Sequence, residues 1–180
     1  VLEARVERRL PDSLYVRLVE RKPMALWQHD GKMTVIDNDG RPLGDAAALA
    51  ARGDKTLDRL PQVVGVGAAE AARDLLDALS HVPAIERRVA AAVRVGKRRW
   101  DLTMDNRVVV RLPEERMVQA LHQLAELDAR EGVLSRDVLS LDLRQQDRLT
   151  VRLPDPPPEP EHATGAKKPG AGTATTAKRN

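Results

Sequence analysis

The chain has 180 residues, with 30 lysines and arginines against 27 aspartates and glutamates and with neither cysteine nor phenylalanine. Without cysteine there is no disulfide framework, CxxC metal site or thiol nucleophile. A net charge of +3 on a mixed surface is a weak signal for nucleic acid, and no apolar run approaches the roughly 20 residues of a membrane-spanning helix.

The chain opens at Val1, already in a strand pattern and with no signal peptide in view, and is read as a fragment or a processed chain. Leu2, Ala4 and Val6 alternate with Glu3, Arg5 and Glu7. Leu10-Pro11-Asp12-Ser13 breaks the pattern, and Leu14, Val16 and Leu18 resume it, which predicts a strand, turn, strand unit. Met24 to Gln28 predicts a short strand carrying Trp27, and Met33 to Asp37 a second one across a turn at Asp30-Gly31. A turn at Asn38-Asp39-Gly40 leads into Arg41-Pro42-Leu43, and Ala46 to Arg52 reads as a short helix closed by Gly53.

Leu60 to Val66 runs through Gly65 and Gly67 into a helix in which Ala68, Ala71, Ala72, Leu75, Leu76 and Leu79 recur at three- and four-residue steps. Arg87 to Val95 and Lys97 to Met104 read as strands meeting near Gly96, and Met104 to Val110 as a hairpin turning at Asp105-Asn106. Pro113 with Glu114 and Glu115 predicts a helix start, since the ring suits the first turn and the carboxylates suit the positive end of the dipole. Met117, Ala120, Leu121, Leu124 and Leu127 continue it, and Gly132 stops it.

The stretch from Val138 to Leu153 predicts a terminal hairpin. Leu141 and Leu143 face one way, Asp142 and Arg144 the other. Leu149, Val151 and Leu153 form the expected buried face of the second arm, against Arg148, Thr150 and Arg152. Pro154 ends the pairing. If nothing covers the Arg148 to Leu153 strand, it is an edge open to another chain. Residues 154–180, rich in Pro, Ala, Gly and Lys, cannot bury enough apolar surface to offset their ordering entropy and are expected to form a disordered tail.

Signals for catalysis are thin. Gly65-Val66-Gly67 has the look of a phosphate-cradling turn, but Glu70 stands where a third glycine belongs, so it reads as a tight strand-to-helix turn. His29, His81, His122 and His162 lack metal-ligand spacing. The serines lack a nucleophile elbow. Neither a cofactor nor a metal is expected. The arginines carry more: Arg98 and Arg99 before Trp100, Arg144 after Asp142-Leu143, and Arg148 and Arg152 along the last strand. They read either as a solvated face of weak ion pairs or as flanks of an edge strand that holds an acidic partner segment.

The segments ARVERRLPDSLYVRLVERKPMALW, LPQVVGVGA, AAVRVGKRRWDLTMDN, VVVRLPEERMVQALHQLAEL and RDVLSLDLRQQDRLTVRL, in this order, resemble the extracytoplasmic region of the FtsQ/DivIB family of bacterial cell-division proteins. The resemblance implies an α+β fold, a mostly antiparallel β-sheet with two main helices packed on it, preceded by the last strands of a POTRA domain. Residues 1–23 would end the POTRA domain and 24–153 would form the β domain. A membrane helix would lie upstream, placing this region in the periplasm of a single-pass inner-membrane protein at the division septum. The implied role is a non-enzymatic scaffold of the divisome that recruits FtsB and FtsL, with FtsB adding a strand to the last strand of the sheet. Neither nucleic acid nor a small-molecule substrate is implied, and a basic nucleic-acid-binding domain is the alternative.

The implied partner-binding residues are Arg144, Gln145, Arg148, Leu149, Thr150, Val151, Arg152 and Leu153, with Arg98 and Arg99. Arg144 matches the family arginine that faces an FtsB acid, and Arg99 or Arg98 a second one. Gln145 and Leu153 stand where some relatives have aromatics, so the anchors here are expected to be aliphatic. Arg107 stands where relatives often have glycine.

Overall fold

The structure is a computed structural model and describes residues 2–53, 55–145 and 148–154. Of the tail expected over 154–180, all but Pro154 lies outside the described residues.

Strands β1 (Glu3–Arg9) and β2 (Ser13–Val19) pair antiparallel into a two-stranded sheet of their own. Residues paired across the strands point to the same face. Ala4 with Leu18 and Val6 with Val16 therefore make an apolar face, and Arg5 with Arg17 lies on the polar one. All of both strands is exposed to solvent.

The other strands form one nine-stranded sheet. They are β3 (Pro23–His29), β4 (Lys32–Asp37), β5 (Pro42–Asp45), β6 (Gln62–Val64), β7 (Val89–Val95), β8 (Arg99–Met104), β9 (Val109–Arg111), β10 (Ser140–Asp142) and β11 (Thr150–Arg152). Their order is β11-β10-β9-β8-β7-β6-β3-β4-β5. Five of the eight neighbouring pairs are antiparallel, and β3/β6, β6/β7 and β9/β10 are parallel. With its helices, this is the expected α+β architecture on a mostly antiparallel sheet. Parallel neighbours need a long crossover. Helix α2 (Ala68–Ser80) supplies it between β6 and β7, and α4 (Met117–Glu131) between β9 and β10. The short helices α1 (Ala46–Ala50) and α3 (Pro83–Glu86) complete the set.

The two crossover helices touch each other and share one core. From the sheet it takes Ala25, Ile36, Val63, Ala92, Leu102, Val110 and Leu141, and from the helices Ala72, Leu75, Leu79, Leu121 and Leu124. With no phenylalanine to fill it, the layer is aliphatic apart from Trp100, which is 2% exposed. Each fully buried leucine contributes about 1.5–3 kcal/mol. Val35 and Leu57 are buried but lie outside this core. Val35 neighbours Ile36 along β4 and so points to the opposite face, where α1 packs against β4 and β5.

Trp27 is half-buried and donates its indole N–H to the Gly65 carbonyl over 2.9 Å. This pins the Gly65-Val66-Gly67 turn, where Gly65 (φ +106°) and Gly67 (φ +73°) take conformations closed to most side chains. A Cβ on Gly65 would lie 3.1 Å from the Arg94 carbonyl oxygen. The motif is thus a tight strand-to-helix turn.

Two expectations need correction. Helix α4 starts at Met117, four residues after Pro113, because Arg116 takes a left-handed conformation (φ +59°) that interrupts a helical path. Leu112 just before is fully buried and donates its N–H to the Trp100 carbonyl, so Pro113 to Glu115 leave the sheet as a loop. The second correction concerns the last strand. Leu149 packs partly against the core, but Val151 and Leu153 are 41% and 64% exposed. The helix layer does not reach over them.

Candidate functional site

Strand β11 ends the sheet, paired on one side only with β10, through Ser140↔Arg152, Leu141↔Val151 and Asp142↔Thr150. No strand among the described residues covers its outer side. Thr150, Val151, Arg152 and Leu153 are all exposed there. An uncovered edge of this kind can take an extended segment of another chain by backbone pairing.

The arginines singled out before Trp100 and after Leu143 meet at the end of the sheet. Arg98, in the turn before β8, and Arg99, at the start of β8, share a cleft of about 340 Å³ with Arg144, just past β10. Pro113, Glu114, Glu115 and Arg116 of the loop before α4 close the other wall. Gln145, Arg148 and Leu149 lie instead in a second groove of about 240 Å³ against Gln123, Glu126, Leu127 and Arg130 of α4. The expected site residues thus divide between a cationic cleft, an α4 groove and the open edge.

Strand register explains how two of the cleft's arginines, Arg99 and Arg144, come to end one row of ion pairs. Asp101 pairs with Arg111, and Arg111 with Asp142, so the three side chains share the face of the sheet away from α2 and α4. Arg99 joins them two residues before Asp101. An alternating row results: Arg99 to Asp101 at 3.6 Å, Asp101 to Arg111 at 4.0 Å, Arg111 to Asp142 at 3.8 Å and Asp142 to Arg144 at 2.6 Å. The outer end is the tight one, since Arg144 donates Nε–H to both Asp142 oxygens and Nη2–H to Oδ2, and Asp142 Oδ1 also accepts the Arg144 backbone N–H. These bonds from Arg144 hold the Asp142 carboxyl below the usual carboxylate range against the opposing effect of burial, and the Arg144 guanidinium is raised in turn. The inner end is loose: Arg99 Nε and Asp101 Oδ1 are buried without a hydrogen-bond partner.

Nothing in the sequence alone sets Asp101 and Arg111 apart. Period-two alternation places Arg99 with Asp101, but Arg111 and Asp142 join them only through the β8/β9 and β9/β10 registers. Among the described residues there is no group of three or more His, Asp or Glu placed to hold a metal ion.

An open-edged sheet with a charged cleft at its end exposes backbone groups and arginines side by side. The chain belongs to the FtsQ/DivIB family of cell division proteins: residues 25–144 match the family model described as Cell division protein FtsQ/DivIB, C-terminal. It is 43% identical over 143 residues to a cell division protein FtsQ of Rhizobium radiobacter, covering 79% of this chain and 65% of that one. It is 37% identical over 152 residues to a cell division protein FtsQ of Caulobacter vibrioides, covering 84% of this chain and 48% of that one. The chain therefore spans from about half to just under two thirds of the length of these relatives. The major extracytoplasmic domain of DivIB from Geobacillus stearothermophilus, described as its trans isomer, aligns at 14% identity with a TM-score of 0.41, covering 64% of this chain and 97% of that one.

Proposed function

We propose that this chain is the extracytoplasmic region of a divisome scaffold that recruits FtsB, and with it FtsL, by adding an FtsB strand to β11. The observation that carries the reading is the position of β11: an edge strand that no other strand among the described residues covers, whose neighbour β10 runs directly into the Arg98, Arg99 and Arg144 cleft. Backbone pairing along Thr150–Arg152 supplies affinity. Arg144, with Arg99 and Arg98, reads an acid on the incoming segment and sets its register. Gln145, Arg148 and Leu149 offer the α4 groove to a flanking side chain, and Val151, Arg152 and Leu153 meet the added strand directly. The scaffold is non-enzymatic.

Within this reading residues 1–23 are the end of a POTRA domain, whose remainder covers the apolar face of the β1/β2 hairpin, and 24–153 are the β domain. An upstream membrane helix holds the protein in the inner membrane with this region in the periplasm at the septum. No helix among the described residues is itself long and apolar enough to cross a membrane.

A nucleic-acid-binding role has less support, because Arg99, Arg111 and Arg144 each stand within 4.0 Å of an aspartate and the row is not a free cationic stripe. The test is a pull-down of the chain with the periplasmic FtsB segment of the same organism, comparing wild type with Arg144→Glu. Capture by wild type with loss in the variant is expected. Equal capture by both removes Arg144 from the site.

A further inference from the structure

We propose that Asp142 is a positioning residue for partner recognition, holding the Arg144 guanidinium side-on so that its end-on fork is presented to an acid of the incoming segment. The inference rests on the strand-addition reading and names what prepares that site.

A guanidinium has five N–H donors in a fixed planar fork. Asp142 occupies one edge of it, taking Nε–H at 2.9 and 3.0 Å and Nη2–H at 2.6 Å. None of these bonds uses Nη1, which leaves that nitrogen and the second Nη2 proton as a pair suited to a carboxylate. The Arg144 side chain is 45% exposed and lines the cleft, so the free edge is reachable. Asp142 is in turn steadied by Arg111 at 3.8 Å, which stands between it and Asp101. The Asp142 side chain is only 15% exposed. It is placed to orient Arg144 and screened from meeting a partner itself.

Orientation and simple charge predict opposite outcomes. An acidic segment is repelled by a nearby aspartate, so if Asp142 acted only through its charge, removing that charge would tighten binding. If it acts by holding Arg144, removal weakens binding, because a long side chain must then be ordered when the partner arrives. Asp142→Asn separates the two, since it keeps an oxygen for the Arg144 backbone N–H and loses the anionic fork.

The experiment measures the Kd of a fluorescently labelled periplasmic FtsB segment for wild type, Asp142→Asn, Arg144→Ala and the double variant. Arg144→Ala is expected to weaken binding about tenfold or more. Asp142→Asn should weaken it about two- to tenfold, and the double variant should be no weaker than Arg144→Ala. Equal or tighter binding by Asp142→Asn, with Arg144→Ala impaired, overturns the positioning role and leaves strand addition standing. Wild-type binding by Arg144→Ala removes Arg144 from the interface and the proposal with it. On the wild-type chain alone, the Arg144 Nε–H resonance should exchange with water more slowly than those of exposed arginines such as Arg152. Equal exchange rates would also overturn the proposal, whatever the variants do.

Discussion

Arg21 donates from Nη1 to Oδ2 of Asp37 over 2.7 Å, joining the segment that leaves the first hairpin to the end of β4. Asp37 is 4% exposed and also accepts the backbone N–H groups of Asp39 and Arg41 at 3.0 and 2.8 Å. One carboxylate thus closes the β4/β5 turn and anchors the linker from β2. Removing it leaves buried donors unpaired, which costs more than the net worth of the bonds themselves. Asp37→Ala is expected to lower stability by about 2–4 kcal/mol. Urea unfolding should show the midpoint falling with an unchanged slope, and a midpoint within error of wild type would contradict this account.

The same residue sets a pH dependence. Burial alone would raise the Asp37 carboxyl, but the Arg41 N–H, the Arg21 guanidinium and the Asp39 N–H outweigh it, and the group sits below its ordinary value. The unfolded chain binds this proton near pH 4. A group depressed on folding contributes stability that is complete above its unfolded pKa and is lost as pH falls through its folded one. The stability gap between wild type and Asp37→Asn should therefore be widest at neutral pH and close between about pH 5 and pH 2. Denaturant midpoints measured for both proteins across that range test it, and a constant gap would show that Asp37 is not the titrating group.

Two glycines with the same backbone angle separate strain from crowding. Gly31 and Gly40 both have φ +73°, but a Cβ on Gly31 meets nothing within 4 Å while one on Gly40 would lie 2.5 Å from the Ala69 carbonyl oxygen. The Gly40 turn is pressed against the backbone of the first turn of α2, which cannot yield as a side chain can. Gly31→Ala should cost about 1–2 kcal/mol, the left-handed conformation alone. Gly40→Ala should cost about 3 kcal/mol or more as overpacking is added. Comparable melting temperatures for the two variants would refute the difference.

What was legible in the sequence was periodic. The alternation in β1 and β2 and the three- and four-residue spacing of Leu75 and Leu79 survive into the structure because each reports a face that local geometry sets. The misread features depend on contacts remote in the chain. Pro113, Glu114 and Glu115 carry every signal of a helix start, yet burial of Leu112 and the turn at Arg116 delay α4. Val151 and Leu153 alternate like a buried face, but burial needs a covering layer that alternation cannot supply. The four-residue α3 is too short to show a period in the sequence. The Arg99 to Arg144 row was legible only in part, since the parallel β9/β10 register that brings Arg111 to Asp142 follows from where α4 returns the chain. The proposal that FtsB adds a strand rests on the family resemblance, and the edge that no described strand covers supports it.

The edge itself supplies the sharpest prediction, because the exposure of Val151 separates backbone from side chain. At 41% exposed, Val151 contributes little to the core, so its replacement should disturb the fold modestly. Proline there deletes a strand N–H and locks φ near −65°, away from the extended value of a paired strand. Threonine keeps the β-branched shape and every backbone group. If an added strand pairs with β11, Val151→Pro should weaken binding of the periplasmic FtsB segment by about tenfold or more while Val151→Thr stays within about threefold of wild type. Circular dichroism and the melting temperature of each variant establish that the domain is still folded. A folded Val151→Pro protein that binds FtsB as wild type does would move the interface off this edge, and the 240 Å³ groove beside α4, with Arg148 and Leu149 in its wall, would be the next surface to probe.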